Sequence, residues 1–390
     1  MRMSELQPIP VIVSAKRTPI GRYGGIFKGI NPEQLAAEVI TAAMREVHVP
    51  VGEIDDVILG NVVGPGGNLA RLSALCAGLP VTVPGFTVDR QCGSGLEAIN
   101  LAARLIQSGA GDVYIAGGVE STSRAPWRIE KPESLYGLKP PQPYNRARFS
   151  PDSIGDPDMG IAAENVADKY HITRQAQDEY ALRSHQKAVK SIRSSWFNDE
   201  IAALTINGQT VCTDECPRPD TAIEKLSALP PVFRENGSVT AGNACPVNDG
   251  AAVVVLMSLD KAKHLGNEPV LIFEDSVAVG VDPNYLGIAP VPAVSQLLER
   301  NQLTIDNIDL VEFNEAFACQ VLACLNELAI PFDKVNVGGG ALALGHPYGA
   351  SGAVLVTRLC TEMRRGHGKR GLVTLGIGGG LGLATLFKKL

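Results

Sequence analysis

The chain contains one run of elements twice, and that repetition limits its folds more than any other feature. SGLEAINLAARLIQSGAGDVYIAGG, starting at Ser94, has a counterpart SGAVLVTRLCTEMRRGHGKRGLVTLGIGG, starting at Ser351. Each reads as a glycine turn, a helix, a loop of glycine and charge, a buried strand and a second glycine turn. A match in the order and type of every element points to two similar halves. Around the first copy, strands Val11–Ala15, Val57–Leu59 and Thr87–Arg90 alternate with helices 32–47 and 71–77, so the expected class is α/β with mostly parallel pairing. From 119 to 249 the rhythm breaks: prolines cluster between 126 and 157, and two charged helices are expected over Ile161–Tyr170 and Arg174–Ser194. The α/β pattern resumes with the apolar strand Ala251–Met257. The division expected is 1–118 plus 250–270 as a first half, 119–249 as an insertion, and 271–390 as a second half.

Composition narrows the partners. With 390 residues, 45% hydrophobic and 19% charged, the chain can bury a large core, which excludes disordered architectures. A formal net charge of −6 leaves no global field to draw it to nucleic acid or an anionic membrane. The eight cysteines form no CxxC pair, and Cys212 with Cys216 has no neighbouring histidine, so no structural metal is expected. The first residues lack the apolar core of a signal peptide, and no run approaches the roughly 18 apolar residues of a membrane span. A reduced, cytoplasmic protein is the expectation.

Three positions carry candidate chemistry. Cys92 lies between a strand and a glycine-flanked helix start, where unpaired N–H groups and the helix dipole favour an anion, so its thiol is expected to have a lowered pKa and act as a nucleophile. The alternative is a buried cysteine at a tight turn. His346, in the glycine-rich stretch 338–349, occupies in the second copy the slot that Cys92 occupies in the first. A pseudo-two-fold axis would bring the two together, with His346 as the base; a structural loop histidine is the alternative. Asn314 follows strand Leu310–Phe313 and could hold a water or donate to an oxyanion, or simply cap a helix. The glycine runs 338–340 and 376–382 lack the lysine of a phosphate loop and the acidic residue of a dinucleotide site.

Together these motifs resemble the thiolase family over nearly the whole chain. Asp89-Arg90-Gln91-Cys92-Gly93-Ser94-Gly95 is similar to its nucleophile motif. Ala241-Gly242-Asn243-Ala244 with Asn248-Asp249-Gly250-Ala251 is similar to the segment entering the core strand. Asn314-Glu315-Ala316-Phe317 matches the asparagine motif, and Gly345-His346-Pro347 with Gly349-Ala350-Ser351-Gly352 the histidine motif. The resemblance implies a five-layered αβαβα core of two similar halves with an inserted loop domain, a homodimer or homotetramer, and a coenzyme A thioester as substrate. No permanently bound cofactor is implied, coenzyme A being substrate and product. Cys92 would accept the acyl group, His346 would activate it, Asn314 would hold an oxyanion-site water, and the Cys92 N–H would help form a second oxyanion hole. Arg218 would lie near the adenine and phosphates of coenzyme A, and Met159 and Phe317 would line the acyl pocket. The wording around Cys92 and Arg218 leans to the degradative branch, hence to fatty acid β-oxidation.

The resemblance breaks at one decisive place. The family ends with Cys-x-Gly-x-Gly, whose cysteine moves the proton at the substrate α-carbon, and here Gly376 stands at that position. Loss of such a group typically costs about 10²- to 10⁴-fold in rate. Cys319, three residues beyond Ala316, is a candidate substitute. Cys245-Pro246 replaces a small Ser-Gly pair that touches the pantetheine arm, and Asp158 precedes Met159 where a histidine is common. The reading that follows is a thiolase-type acyltransferase working through S-acyl-Cys92. Its rivals are an acyltransferase or thioesterase without carbon–carbon chemistry, and a non-catalytic acyl-CoA-binding partner subunit.

Overall fold

A computed structural model of the protein describes residues 7–390 apart from 133, 135, 137–139, 145 and 367; the first six residues of the N-terminal reading lie outside it. The main strands are β1 (Pro10–Arg17), β2 (Asp56–Gly60), β3 (Gly85–Val88), β4 (Val113–Ser121), β5 (Asn248–Ser258), β6 (Leu271–Gly280), β7 (Leu310–Phe313), β8 (Arg370–Ile377) and β9 (Leu381–Lys388). The main helices are α1 (Pro32–Met44), α2 (Leu69–Cys76), α3 (Ser94–Gln107), α4 (Met159–Lys169), α5 (Arg174–Arg193), α6 (Pro290–Arg300), α7 (Ala318–Leu328) and α8 (Tyr348–Arg364).

The internal repeat reappears as topology. One half is ordered β1-β5-β4-β2-β3 and the other β6-β9-β8-β7. The expected mostly parallel pairing does not hold: in each, the first three strands run antiparallel and only then does the pairing turn parallel, at β4–β2–β3 and at β8–β7. A parallel bridge from Val311 to Val335 stands where the first half has β3. The two halves meet along one short antiparallel junction, Val11 with Ile272 and Ile12 with Leu271. The sheets therefore form one continuous, bent surface.

Three apolar layers surround that surface. Between the half-sheets lie Leu96, Ile99 and Ile106 of α3 against Val356, Leu359 and Met363 of α8. Outside the first half, Leu35, Val39 and Ile40 cover Val57 and Val253. Outside the second, Val294, Leu297 and Val321 cover Val311, Leu372 and Leu386. The result is the expected αβαβα order. Every residue of α8 from Gly349 to Met363 is buried, as befits a helix enclosed on all sides. Both central strands, β4 and β5, are buried along their whole length, which explains their near-continuous apolar runs.

The central helices touch backbone to backbone. A Cβ on Gly95 would lie 2.7 Å from the Gly349 carbonyl, and one on Gly352 would run into Leu96. Only glycines permit that approach, and it sets the starts of α3 and α8 side by side. The inserted stretch is tied to both halves by a buried ion network. Arg17 pairs with Glu200 at 2.7 Å and with Asp214 at 2.7 Å, while Arg358 pairs with Glu200 at 2.5 Å and with Glu362.

Candidate active site

Cys92 stands at a tight turn between β3 and α3, and the turn is built by its neighbours. Asp89 Oδ1 accepts from the Gln91 N–H at 2.8 Å, and Ser94 Oγ accepts from the Arg90 N–H at 2.8 Å while donating to the Gln91 carbonyl at 2.6 Å. Gln91 takes a left-handed φ of 47°, a conformation a glutamine holds only when its surroundings dictate it. Gly93 follows as the residue before the helix, and a Cβ there would strike Ile377. The nucleophile turn is thus fitted against the end of β8.

The expected lowering of the Cys92 pKa does not occur. Burial pushes the thiol up to about 11, against the N–H groups of Gly378 and of Cys92 itself, and the Glu120 and Asp89 carboxylates add to the rise. Desolvation outweighs the helix terminus here, because the dipole acts on a sulfur already withdrawn from water. The resting group is a thiol. Tyr348 stands near it: burial and then the Cys245 and Cys92 sulfurs raise that hydroxyl, and the Tyr348 ring lies edge-on to His346 at 5.2 Å.

His346 reaches the site through strain that only glycine tolerates. Gly345 has φ of 111°, and a Cβ on it would lie 2.5 Å from the Asn248 carboxamide. That carboxamide accepts the His346 N–H at 2.8 Å, and Val247 forms a parallel bridge with His346. Burial lowers the imidazole pKa to about 4, so the ring is neutral at physiological pH. Its Nδ1 lies 2.5 Å from Ser351 Oγ and its Nε2 lies 3.4 Å from Asn314 Nδ2. A carboxamide nitrogen can only donate. With Asn314 so oriented, Nε2 carries the lone pair and Nδ1 carries the proton toward Ser351.

Asn314 is not a helix cap: α7 begins at Ala318 with Phe317 as its preceding residue. Its neighbour Glu315 is buried and accepts from Tyr180 (3.0 Å), Ser184 (2.6 Å), Asn336 (2.7 Å) and the Leu342 N–H (3.1 Å). These four bonds lock the Asn314 loop to α5 and to the glycine stretch before His346. Glu120 does the same on the other side, accepting from Asn61 Nδ2 and from the Val62, Val63 and Gly349 N–H groups. Burial raises its pKa to about 7 against the pull of those N–H groups. Neither carboxylate was singled out from the sequence, although Glu315 belongs to one of the quoted motifs. Gly378 was missed as well; its signal was the run 378–380, where Gly379 and Gly380 both have positive φ.

The segment Ala244–Asn248 forms the third wall. Ala244 bridges to Phe317, the Cys245 N–H donates to the Ala316 carbonyl at 2.9 Å, and Val247 bridges to His346. Phe317 stacks edge-on against Phe233 at 6.0 Å, and Met159 and Cys245 pack on the same apolar layer. Asp158 precedes α4 and takes a 3.4 Å contact from Arg146. Ala244 and Pro246 also face a cavity of about 520 Å³ that leads to Arg218 through Cys216, Leu226 and Leu229, with Arg22 and Lys225 on its lining. A second cavity of about 400 Å³ shares His185, Arg218 and Thr221 with it and adds Lys190 and Arg193. The Arg218 N–H donates to His185 Nδ1 at 3.2 Å, and burial with the Arg218 charge lowers that imidazole to about 4.

Position 376 and Cys319 resolve differently. A Cβ on Gly376 would lie 2.7 Å from Gln320 Nε2 and 3.2 Å from the Leu286 carbonyl. Gln320 is buried, and its Nε2 has no hydrogen-bond partner among the described residues. Cys319 is fully buried, and its thiol donates to the Ala163 carbonyl at 3.3 Å. It points into the apolar layer beside α4.

Comparison with known proteins agrees with this geometry along the whole chain. The family description "Thiolase, N-terminal domain" matches residues 10–260, and "Thiolase, C-terminal domain" matches residues 268–389. VraB of Staphylococcus aureus strain MW2, provisionally named an acetyl-CoA C-acetyltransferase, is 50% identical over 379 residues, which is 97% of this chain and 99% of VraB. The acetyl-CoA acetyltransferase of Bacillus anthracis is similar in structure with a TM-score of 0.92 at 41% identity, covering 98% of this chain and 99% of that one. Human mitochondrial 3-ketoacyl-CoA thiolase, solved in complex with CoA, gives 0.93 at 37% identity, with 98% of each chain covered. With both family domains matched in order and a relative at 50% identity over almost its full length, this chain belongs to the thiolase family.

Proposed function

We propose that this protein is a thiolase-type acyl-CoA acyltransferase that works through an S-acyl-Cys92 intermediate. The observation that carries the reading is that Gly95 and Gly349 bring the starts of α3 and α8 into contact, with Cys92 three residues before one of these glycines and a neutral His346, beside Asn314, three residues before the other. His346 Nε2, unprotonated, takes the Cys92 proton as sulfur attacks a thioester carbonyl. The thiol never has to ionise alone, which its burial forbids. The N–H groups of Cys92 and Gly378 both favour negative charge at that sulfur, and they form the donor pair for the tetrahedral oxyanion on the acyl carbon. Asn314 Nδ2 beside His346 Nε2 makes a second polar corner where a thioester oxygen can be held. Ser351 and Glu315 keep the histidine and the asparagine in place.

Coenzyme A, as substrate and product, fits the cavity that runs from Ala244 and Pro246 to Arg218. Arg22 and Lys225 supply cations along it for phosphate groups, and Lys190 and Arg193 line the adjoining cavity that shares Arg218, in a chain that is acidic as a whole. Met159, Phe233 and Phe317 form the apolar wall for the acyl group. We assign the halves to 1–118 plus 250–270 and to 271–390, with 119–249 as the coenzyme-binding insertion. A cytoplasmic homodimer or homotetramer active in fatty acid β-oxidation is the setting that the family suggests. Among the described residues no helix is long and apolar enough to cross a membrane.

The retained trio Cys92, His346 and Asn314 disfavours a binding-only subunit, which would need none of them. Mixing the protein with acetyl-CoA and weighing it intact tests the reading: Cys92 gains one acetyl group, and Cys92→Ser gains none. An unmodified wild-type chain would sink it.

A further inference from the structure

The α-carbon step needs a proton donor, and position 376 cannot provide one. Glycine has no side chain, and the Gln320 carboxamide occupies the space where one would begin. Cys319 faces Ala163. Cys324 donates to the Gly287 carbonyl, and Cys360 is buried between the half-sheets. Cys216 lies toward Arg218, where its sulfur already accepts from Asn248 Nδ2 at 3.2 Å. One thiol remains that is only partly buried and lies on a wall of the site.

That thiol is Cys245. Its segment is pinned at both ends to the reacting corner, through Ala244 to Phe317 and through Val247 to His346, and its own N–H is bonded to Ala316 next to the asparagine loop. Its flanking residues Ala244 and Pro246 face the long cavity, while Cys245 packs with Met159 and Phe317 on the acyl side. It therefore stands where the cavity from Arg218 meets the acyl wall, which is where an α-carbon must lie when the adjoining carbonyl is at Cys92.

We propose that Cys245 has taken over the α-carbon proton transfer that Gly376 cannot perform, so that the second thiol of the site has moved from the end of β8 to the segment entering β5. The inference rests on the acyltransferase reading above. In thiolysis of a 3-ketoacyl-CoA, Cys92 sulfur, its proton on His346, bonds to the C3 carbonyl carbon. The C2–C3 bond breaks and its electron pair stays on C2 as an enolate. The Cys245 S–H proton goes to C2, releasing acetyl-CoA and leaving a Cys245 thiolate. Incoming coenzyme A gives its thiol proton to that thiolate, and its sulfur displaces Cys92 from the acyl group. Cys92 recovers the proton held on His346, and every group returns to its starting state.

Burial and then the neighbouring Cys92 hold the Cys245 thiol well above the usual range, and Tyr348 is raised by burial and then by Cys245 and Cys92. A protonated resting thiol is the form a donor to an enolate requires.

The test compares wild type with Cys245→Ser and Cys245→Ala, using the exposed Cys212→Ser as a control. Three readouts are taken: acetoacetyl-CoA thiolysis, deuterium uptake at the acetyl-CoA methyl in D2O, and acetylation of Cys92 by intact mass. The expected result in both Cys245 variants is a fall of about 10²- to 10⁴-fold in thiolysis and deuterium uptake, with Cys92 acetylation changed far less. Thiolysis and exchange within threefold of wild type would overturn the proposal. Equal loss of acetylation would also overturn it, making Cys245 a support for Cys92 only. A wild-type chain that acetylates Cys92 without thiolysis would refute this proposal alone, whereas one that never acetylates would refute the acyltransferase reading as well.

Discussion

Glu200→Gln is the substitution that most directly tests how the inserted stretch is held. The carboxylate is buried and bonded to Arg17 and Arg358, with Thr361 Oγ donating to it at 2.5 Å. Burial alone would raise its pKa, but Arg358 and Arg17 hold it below the usual value. Removing one member of a buried ion group costs about 3–5 kcal/mol because a charge is left uncompensated. Here the low end applies: Arg17 keeps Asp214 and Arg358 keeps Glu362. Unfolding entropy of roughly 2.1 cal/mol/K per residue amounts to about 0.8 kcal/mol/K for a chain this long, so ~3 kcal/mol lowers the melting temperature by about 4 °C. Calorimetry of both proteins at pH 7 reads that difference. The sign with pH follows from the depressed folded pKa. The stabilisation is complete above the unfolded carboxylate value of about 4.5 and fades as pH falls through the lower folded value, so the two melting curves converge in acid. A shift below 1 °C at pH 7, or one that grows in acid, would refute the reasoning.

Two further predictions concern the site. Because burial holds His346 neutral down to about pH 4, the rate of Cys92 acetylation should show no acidic limb centred near 6.5 between pH 5 and 8, and His346→Ala should slow it by about 10²- to 10⁴-fold at all of these values; a limb near 6.5 that vanishes in His346→Ala would contradict the burial argument. Arg218→Ala should raise KM for coenzyme A about tenfold with kcat little changed, since it removes ground-state binding remote from the reacting carbon; steady-state kinetics decide it, and an unchanged KM would separate the cavity from the coenzyme.

The repeat, the α/β class and the candidacy of Cys92 and His346 were legible in the sequence because they rest on local patterns, glycine turns, helix lengths and buried strands that recur in order, whereas the five layers followed only from the resemblance to the thiolase family. What could not be read depends on contacts between distant segments. The rise in the Cys92 pKa is one case, since a turn that looks dipole-stabilised in one dimension is desolvated by β8 in three. Cys319 is another: its place three residues beyond Ala316 made it a candidate, but the helix starts only at Ala318 and the thiol turns to Ala163. The roles of Glu120 and Glu315 as locks follow from donors more than twenty residues away, and the Gly378 N–H became visible only when the last turn was seen against Cys92. The wall from Ala244 to Asn248 read as the approach to a strand, and its position between the asparagine and histidine loops is purely tertiary.

The central claim is that a thiol from one half and a histidine from the other act as one nucleophile. Intact-mass measurement of the wild type, Cys92→Ser and His346→Ala after a brief exposure to acetyl-CoA tests it most directly. The account predicts one acetyl group on wild-type Cys92, none on Cys92→Ser, and little within the same interval on His346→Ala. Acetylation of His346→Ala at the wild-type rate, or an acetyl group on another cysteine, would contradict it.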